Sequence, residues 1–166
     1  MNDLLLQKLR AQFPAAVELE NEFRGELTIV IRKADILAVC RYLQSEPDLA
    51  FDSVRDICGA DYHRSDERFE VIYNLYSLKN NFRLRLKVRI GESDLHVSSV
   101  AGVWKGADWL ERETYDMYGI LFDGHPDLKR ILLPDGWTGF PLRKDYDILK
   151  QDKEWVQINL GIESGQ

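Results

Sequence analysis

The sequence predicts an α+β fold: a mixed or antiparallel sheet packed with helices, followed by a long extended C-terminal tail. Three observations carry this. Apolar residues recur at helical spacing in 5–13, 34–44 and 108–118. They alternate with polar residues at strand period in 26–31 and across 68–90. After Gly119 both periods stop, and breaker pairs take over: Asp123-Gly124, His125-Pro126, Leu133-Pro134, Asp135-Gly136 and Phe140-Pro141. A compact domain is therefore expected over 1–122 and a partner-binding tail over 123–166.

Each element has a local reason. Asn2 or Asp3 is placed to cap a first helix carrying Leu5, Leu6, Leu9 and Phe13 on one face. Val17 and Leu19 alternate with Glu18 and Glu20 as a strand. Phe23-Arg24-Gly25 reads as a turn into a second strand with Leu27, Ile29 and Ile31 on one side. A helix from Ala34 to Gln44 follows and ends at Ser45-Glu46-Pro47-Asp48, and residues 49–58 add a short helical or strand segment. In the hairpin from Arg68 to Ile90, a loop of Lys79 to Phe82 sets Leu78 opposite Arg83. Its core face then carries Phe69, Val71, Tyr73 and Leu75 against Leu84, Leu86, Val88 and Ile90. Its other face gathers Arg83, Arg85, Lys87 and Arg89 beside Tyr76, Asn74 and Glu70. The helix 108–118 closes the domain, and Gly119 is placed as its left-handed stop, returning Ile120 and Phe122 onto it.

Composition narrows the function. A chain of 166 residues with 45% hydrophobic and 30% charged residues is an ordinary globular composition with enough length for one real core. No apolar run reaches the roughly 20 residues that cross a bilayer, and no secretory signal pattern opens the chain. Membrane association is expected only indirectly, through partners. The net charge of −6 argues against general nucleic-acid binding. Cys40 and Cys58 match no cluster or haem spacing, and Cys40 reads as a buried thiol. His63, His96 and His125 have no paired ligand spacing. Catalytic, cofactor-binding and metal residues are accordingly expected to be none.

The charged constellations read as structural or interface features. Glu111 and Glu113 point about 200° apart on a helix and cannot converge on one bond. Asp108, Arg112 and Asp116 fall at i, i+4 and i+8, a carboxylate–guanidinium–carboxylate ladder that matters only if buried at a contact. Asp108 is alternatively a cap with Glu111 as its reciprocal partner. His125 before Pro126 reads as a turn-fixing or interface histidine. In the tail, Arg143, Lys144, Asp145 and Tyr146 follow the anchors Trp137, Phe140 and Pro141, a hot-spot composition. Folding of this tail back over its own domain is the alternative. The Arg83–Arg89 stripe offers a nucleic-acid reading, weakened by having one neighbouring aromatic.

The stretches ERETYDMYGI (Glu111 to Ile120), GHPDLKRIL (Gly124 to Leu132) and PLRKDY (Pro141 to Tyr146) resemble the signature of the C subunit of the proton-pumping NADH–quinone oxidoreductases, respiratory complex I. The match continues upstream in CGADY (Cys58 to Tyr62) and RFEVIYNLYSL (Arg68 to Leu78). The family's usual Arg before Arg130 is Lys129 here, and a Pro common in the family is replaced by Lys105. The resemblance implies a non-redox structural subunit of the hydrophilic arm. FMN and the iron–sulphur clusters would lie in partner subunits, and the complex would pass electrons from NADH to a quinone coupled to proton translocation. It implies packing on the quinone-site D subunit and near cluster-bearing subunits, on the cytoplasmic side of the cell inner membrane as a peripheral protein. Signature positions expected at partner contacts are Asp108, Glu111, Arg112, Glu113, Asp116, Gly119, His125, Pro126, Asp127, Arg130, Trp137, Pro141, Arg143, Lys144, Asp145 and Tyr146. The equivalent component of a related membrane-bound hydrogenase or other-donor dehydrogenase is the alternative, and a free-standing binding module a third.

Overall fold

The computed structural model describes residues 1–63, 66–147 and 153–160. Two hairpins build the main sheet. β1 (Val17–Phe23) turns through Arg24 and Gly25, both at positive φ, into β2 (Glu26–Ile31). That is the two-residue turn whose twist matches antiparallel strands. β4 (Phe69–Ser77) and β5 (Phe82–Ile90) form the second hairpin, and β3 (Ser53–Asp61) pairs outside β4. The order is β1-β2-β5-β4-β3, with β2 and β5 parallel and every other pair antiparallel, so the sheet is mixed.

The hairpin's core face is the one the alternation predicts. Its register differs by two residues: Tyr76, not Leu78, sits opposite Arg83, because the loop is 78–81 and Phe82 already pairs with Ser77. Asn81 adopts the positive φ of 45° that closes this loop, which its short polar side chain tolerates. A shift of two preserves the faces, so Phe69, Val71, Tyr73 and Leu75 still meet Ile90, Val88, Leu86 and Leu84.

The helices pack against that face. α1 (Asn2–Gln12) buries Leu5 and Leu9, but no side chain caps it; Asn2 lies inside the helix and donates to Glu22 instead. A short 3₁₀ turn (Lys33–Asp35) leads into α2 (Ile36–Ser45), which contributes Ile36, Val39, Cys40 and Leu43 to the same core. α3 (Ala107–Tyr118) lies against β3. Gly119 ends it at φ 74°, its N–H bonded to Tyr115 O, and Ile120 and Phe122 return to the core as expected. The returning segment forms a strand the periodicity does not reveal: β7 (Leu121–Asp123) pairs in parallel with β6 (His96–Ser98). Three residues each are too short to show a period.

The tail departs from its expected form in two ways. Residues 124–147 are irregular, but Leu142 N–H bonds to Met117 O and Lys144 N–H to Asp61, so they are seated on the domain. A helix, α4 (Lys153–Leu160), then follows, in a stretch with no Pro after Pro141. The parts of the extended-tail reading at 148–152 and 161–166 lie outside the described residues.

Gly59 decides how closely α3 approaches the sheet. A Cβ there would lie 2.5 Å from the Tyr118 ring. Gly59→Ala is expected to cost roughly 1–3 kcal/mol through overpacking. The check is a lower urea midpoint at unchanged slope, with a less-than-additive loss in Gly59→Ala/Tyr118→Leu.

Candidate functional site

The signature segments converge where the tail docks, and four anchors hold it. The first is Asp116 on α3, fully buried. Its Oδ2 accepts the successive N–H groups of Ile131, Leu132 and Leu133 at 3.0, 2.8 and 2.9 Å. Its Oδ1 accepts from Arg130 Nη1 at 2.7 Å. Consecutive N–H groups curled around an anion form a nest; here the anion is a side chain of the same protein. Burial pushes the Asp116 carboxyl up, but these donors outweigh it and hold it below the usual carboxylate range. Arg130 also donates to Gly139 O and lies over the Phe140 ring.

The second anchor is an ion-pair cluster at the end of β3 and β4. Asp61 sits on the inward face of β3, opposite Phe69, where a lone carboxylate would be costly. Arg68 meets it with a two-pronged bond, Nε to Oδ1 at 3.0 Å and Nη2 to Oδ2 at 2.9 Å. The same guanidinium reaches Glu92 at 2.7 Å and the tail's Asp145 at 2.7 Å. Lys144 N–H donates to Asp61 Oδ2 at 2.8 Å. Burial works against Asp61's charge, yet Arg68 and the N–H groups of Lys144 and His63 hold its carboxyl well below the usual range.

The third anchor is Arg143. Its Nε donates to Tyr118 O at 2.6 Å, and its guanidinium lies over the Phe140 and Phe69 rings. This needs a bare backbone below: a Cβ on Gly119 would fall 2.6 Å from both Arg143 Nη2 and the Phe140 ring. Gly119 thus serves the helix stop and the tail seat together. The fourth is Arg112, whose Nε and Nη2 donate to the carbonyls of Lys129 and Arg130, each at 3.1 Å, while it stacks on Trp109.

Arg112 therefore does not bridge Asp108 and Asp116, and the expected ladder is not formed. Asp116 has four donors from the tail, which outcompete a pair worth roughly 0.3–0.5 kcal/mol on a helix surface. Asp108 does not cap α3 either; the N-cap is Gly106, without a side-chain bond. The Asp108 carbonyl instead accepts from His125 Nε2 at 3.1 Å. His125 Nδ1 accepts the N–H of Asp127, so the ring is the neutral tautomer protonated on Nε2. Its side chain is fully buried, with Glu111 Oε2 at 3.9 Å. The histidine does have a titratable neighbour, brought by the fold rather than by sequence spacing.

Glu111 is fully buried and Glu113 exposed, diverging as helical geometry requires. The Glu111 carboxylate accepts from Ser99 Oγ at 2.6 Å and Val100 N–H at 2.7 Å. Burial nonetheless pushes its carboxyl up to about 7, with Asp108 adding to the rise. Of the remaining tail positions, exposed Asp127 pairs with Lys129, and Trp137 packs its ring 5.7 Å from Trp155. Pro141 precedes Leu142, whose N–H donates to Met117 O. Tyr146 closes a turn onto Arg143 O and covers Gly139. Arg143, Lys144 and Asp145, expected to reach a partner, engage the protein's own domain.

Sequence reasoning missed Asp61, Arg68 and Glu92 as site residues. The available signal was Asp61 continuing the inward alternation of Ile57 and Gly59, since an inward acid demands a cation. Among the described residues, no three or more His, Cys, Asp or Glu are grouped to hold a metal ion. The arrangement is a clamp for a peptide segment, with the chemistry of recognition.

Comparison with known proteins identifies the clamp's relatives. The family described as respiratory-chain NADH dehydrogenase, 30 kDa subunit, matches residues 29–152. The chain is 45% identical over 153 residues to the NADH-quinone oxidoreductase C subunit of Geotalea uraniireducens (strain Rf4), covering 92% of each. It is 46% identical over 144 residues to the protein of the same name from Roseiflexus sp. (strain RS-1), covering 87% of this chain and 83% of that one. Among solved structures, a trypsin-resistant fragment (1-134) of Nqo5 is 31% identical with a TM-score of 0.64, covering 76% of this chain and 98% of the fragment. The fold alone is shared with a chain of the membrane-bound sulfane sulfur reductase, an archaeal respiratory membrane complex, at 19% identity and TM-score 0.76, covering 97% of this chain and 92% of that one.

Two outcomes follow from the anchors. In Asp116→Asn, hydrogen exchange at the amides of Ile131, Leu132 and Leu133 should accelerate roughly tenfold or more, the scale of losing a charged acceptor for buried donors, while β4 amides keep their protection. Equal acceleration in β4 would instead mean that the whole domain is loosened. For Glu111 the folded carboxyl titrates at about 7 against an ordinary 4.5. Protonation favours the fold, so this contribution is complete below about 4.5 and is lost as pH rises through 7, on the order of 3 kcal/mol. Melting temperature should fall between pH 5 and about 8, and the slope should flatten in Glu111→Gln.

Proposed function

The chain belongs to the family of the 30 kDa subunit of respiratory-chain NADH dehydrogenase, and we propose that it is the non-redox assembly subunit of an NADH–quinone oxidoreductase. In this reading the enzyme passes electrons from NADH to a quinone, coupled to proton translocation, while this chain joins neighbouring subunits of the hydrophilic arm. The partner we favour is the D subunit, which helps form the quinone site. FMN and the iron–sulphur clusters belong to other subunits. The chain then sits peripherally on the cytoplasmic side of the inner membrane, held there by its partners. Among the described residues, no helix is long and apolar enough to cross a membrane.

The observation that carries the proposal is the orientation of the docked tail. Its backbone donors and charges turn inward onto Asp116, Asp61 and Arg68, while large apolar side chains turn out. Leu132 is 60% exposed, Leu142 50%, and Trp109 on α3, beneath Arg112, 63%. Apolar groups presented on a rigid, hydrogen-bonded ridge are what a partner surface buries. The clamp prepays the ordering of the segment, so less of the binding energy is spent on it. We propose residues 123–166 as the partner-binding element in this sense, fastened at its root rather than free.

The thiols support a chain without its own redox centre. Cys40 is buried in the core and Cys58 lies eighteen positions further on, in β3, a spacing that matches no cluster. The hydrogenase reading is not favoured, since relatives at 45% and 46% identity are NADH-quinone oxidoreductase subunits and the sulfane sulfur reductase shares only the fold. Nucleic-acid binding is disfavoured because Lys87 and Arg89 of the basic stripe are paired with Glu70 and Arg85 with Glu26.

Truncation before Pro134 tests the assignment in cells that make the complex. The shortened chain keeps the Asp116 nest and the Asp61–Arg68 pair, so it should fold. It should be absent from the assembled complex purified from membranes, and Arg112→Ala should reduce incorporation more than it lowers the melting temperature of the free chain. Normal incorporation of the truncated chain would refute a partner role for the tail, and stoichiometric iron or flavin in the purified chain would refute the non-redox assignment.

A further inference from the structure

The face of the sheet opposite the helices carries a second recognition feature, at the far end of β4 and β5 from the tail anchors. Eight residue steps of β4 separate Phe69 from Ser77, roughly 27 Å of strand. There a groove of about 530 Å³ is lined by Glu26, Arg55, Tyr76, Leu78, Arg83 and Arg85, among others. Tyr76 is its centre and is held still: its hydroxyl donates to Asn81 Oδ1 at 2.6 Å. The Arg55 guanidinium lies over the Tyr76 ring at 5.4 Å, and Arg83 is Tyr76's direct cross-strand neighbour. Leu78 beside them is 65% exposed.

The charges here differ from the rest of the stripe. Lys87 is matched at 2.8 Å by Glu70, and Arg89 lies near Glu67 and Glu70. Arg85 shares Glu26 and Asn74. Arg83, by contrast, is 77% exposed and 3.9 Å from the same Glu26, and among the described residues Arg55 forms no ion pair. Asp52 and Asp56, near Arg55 in sequence, are not among the residues lining the groove; Asp52 accepts the Leu78 N–H, and Asp56 accepts from Asn74. On a chain of net charge −6, Arg55, without an ion pair among the described residues, and Arg83, held only loosely by a Glu26 it shares with Arg85, flank a fixed tyrosine and an exposed leucine and form a local cationic, partly apolar slot.

We propose that this groove is a docking site for an acidic polypeptide segment of a partner subunit, with carboxylates on Arg55 and Arg83 and an apolar side chain on Tyr76 and Leu78. Planar guanidiniums suit forked binding of carboxylates. A continuous phosphate backbone fits less well, because it carries no apolar side chain to cover the exposed Leu78. The site rests on the assignment to a multi-subunit oxidoreductase for its occupant, but its geometry is independent of the tail clamp.

The test uses the full chain, tagged and replacing the native copy, purified from membranes with its partners. A photo-crosslinking residue in place of Leu78 should join to an acidic segment of another subunit. Arg55→Glu/Arg83→Glu should lower both that cross-link and co-purified partner by roughly tenfold, with the free chain's melting unchanged, and Arg55→Lys/Arg83→Lys should retain part of both. Full incorporation and cross-linking of the reversed variant overturn the proposal. So does a cross-link to a basic or neutral segment, to nucleic acid or to a second copy of this chain, or no cross-link at all. If the reversed variant fails to fold, the Leu78 cross-link with intact arginines still decides. An unsubstituted chain that co-purifies with no NADH-oxidising complex refutes the functional assignment instead, and the groove then stands or falls on the Leu78 cross-link alone.

Discussion

The seat of Lys144 and Asp145 on the domain depends on one buried ion pair, Asp61 with Arg68. Asp61 points into the domain from a strand face otherwise built of apolar residues and glycine. A carboxylate there is tolerable only with a guanidinium that meets both oxygens, and Arg68 does so from the start of the next strand. The side chains are 0% and 5% exposed. Removing one partner of such a pair costs roughly 3–5 kcal/mol. Arg68 has donors left over, and Asp61 an acceptor. These recruit Glu92, Asp145 and the Lys144 N–H, so the domain's own electrostatic requirement creates the seat for the tail.

The same logic governs Asp116 and Glu111 on α3, with opposite results. Both carboxyls are buried. Asp116 has three backbone N–H groups and a guanidinium and stays below the ordinary range. Glu111 has one hydroxyl and one N–H, and burial with Asp108 nearby pushes it up to about 7. The number of donors, rather than depth alone, separates the two. Acid therefore threatens the tail, whereas a rise from mildly acid pH through neutrality strains the core beneath α3.

Sequence periodicity was sufficient for what local geometry determines. The strand alternation gave the correct core face of the β4–β5 hairpin, and helical spacing located all three domain helices within a residue or two, apart from a 3₁₀ entry to α2. The errors came where partners are distant. The Asp108–Arg112–Asp116 spacing is real, but Asp116's partners lie 14 to 17 residues on, and no count along a helix reveals them. His125 looked isolated because Glu111 and Asp108 reach it only through the fold. The tail looked faceless because its partners are backbone groups and charges of β3, β4 and α3, which have no period. Motif resemblance marked these residues without explaining them, and the fold supplies the reason: CGADY gives Gly59 room for Tyr118 and Asp61 a place for Lys144 N–H.

The parallel pairing of β2 with β5 has a consequence for synthesis. Leu27 pairs with Leu84 and Ile29 with Leu86, so the first hairpin emerges from the ribosome well before the strand that completes it. At roughly 5–20 residues per second the wait is some three to ten seconds. Throughout it, β2 holds Leu27, Ile29 and Ile31 beside an open edge that invites pairing with another nascent chain. α1 is already translated by then. It can lay Leu5 and Leu9 over the apolar face, held to β1 by Arg10 on Glu20 and Asn2 on Glu22. The N-terminal helix can therefore cover the apolar face of half a sheet, though not its open edge, until the other half has been translated.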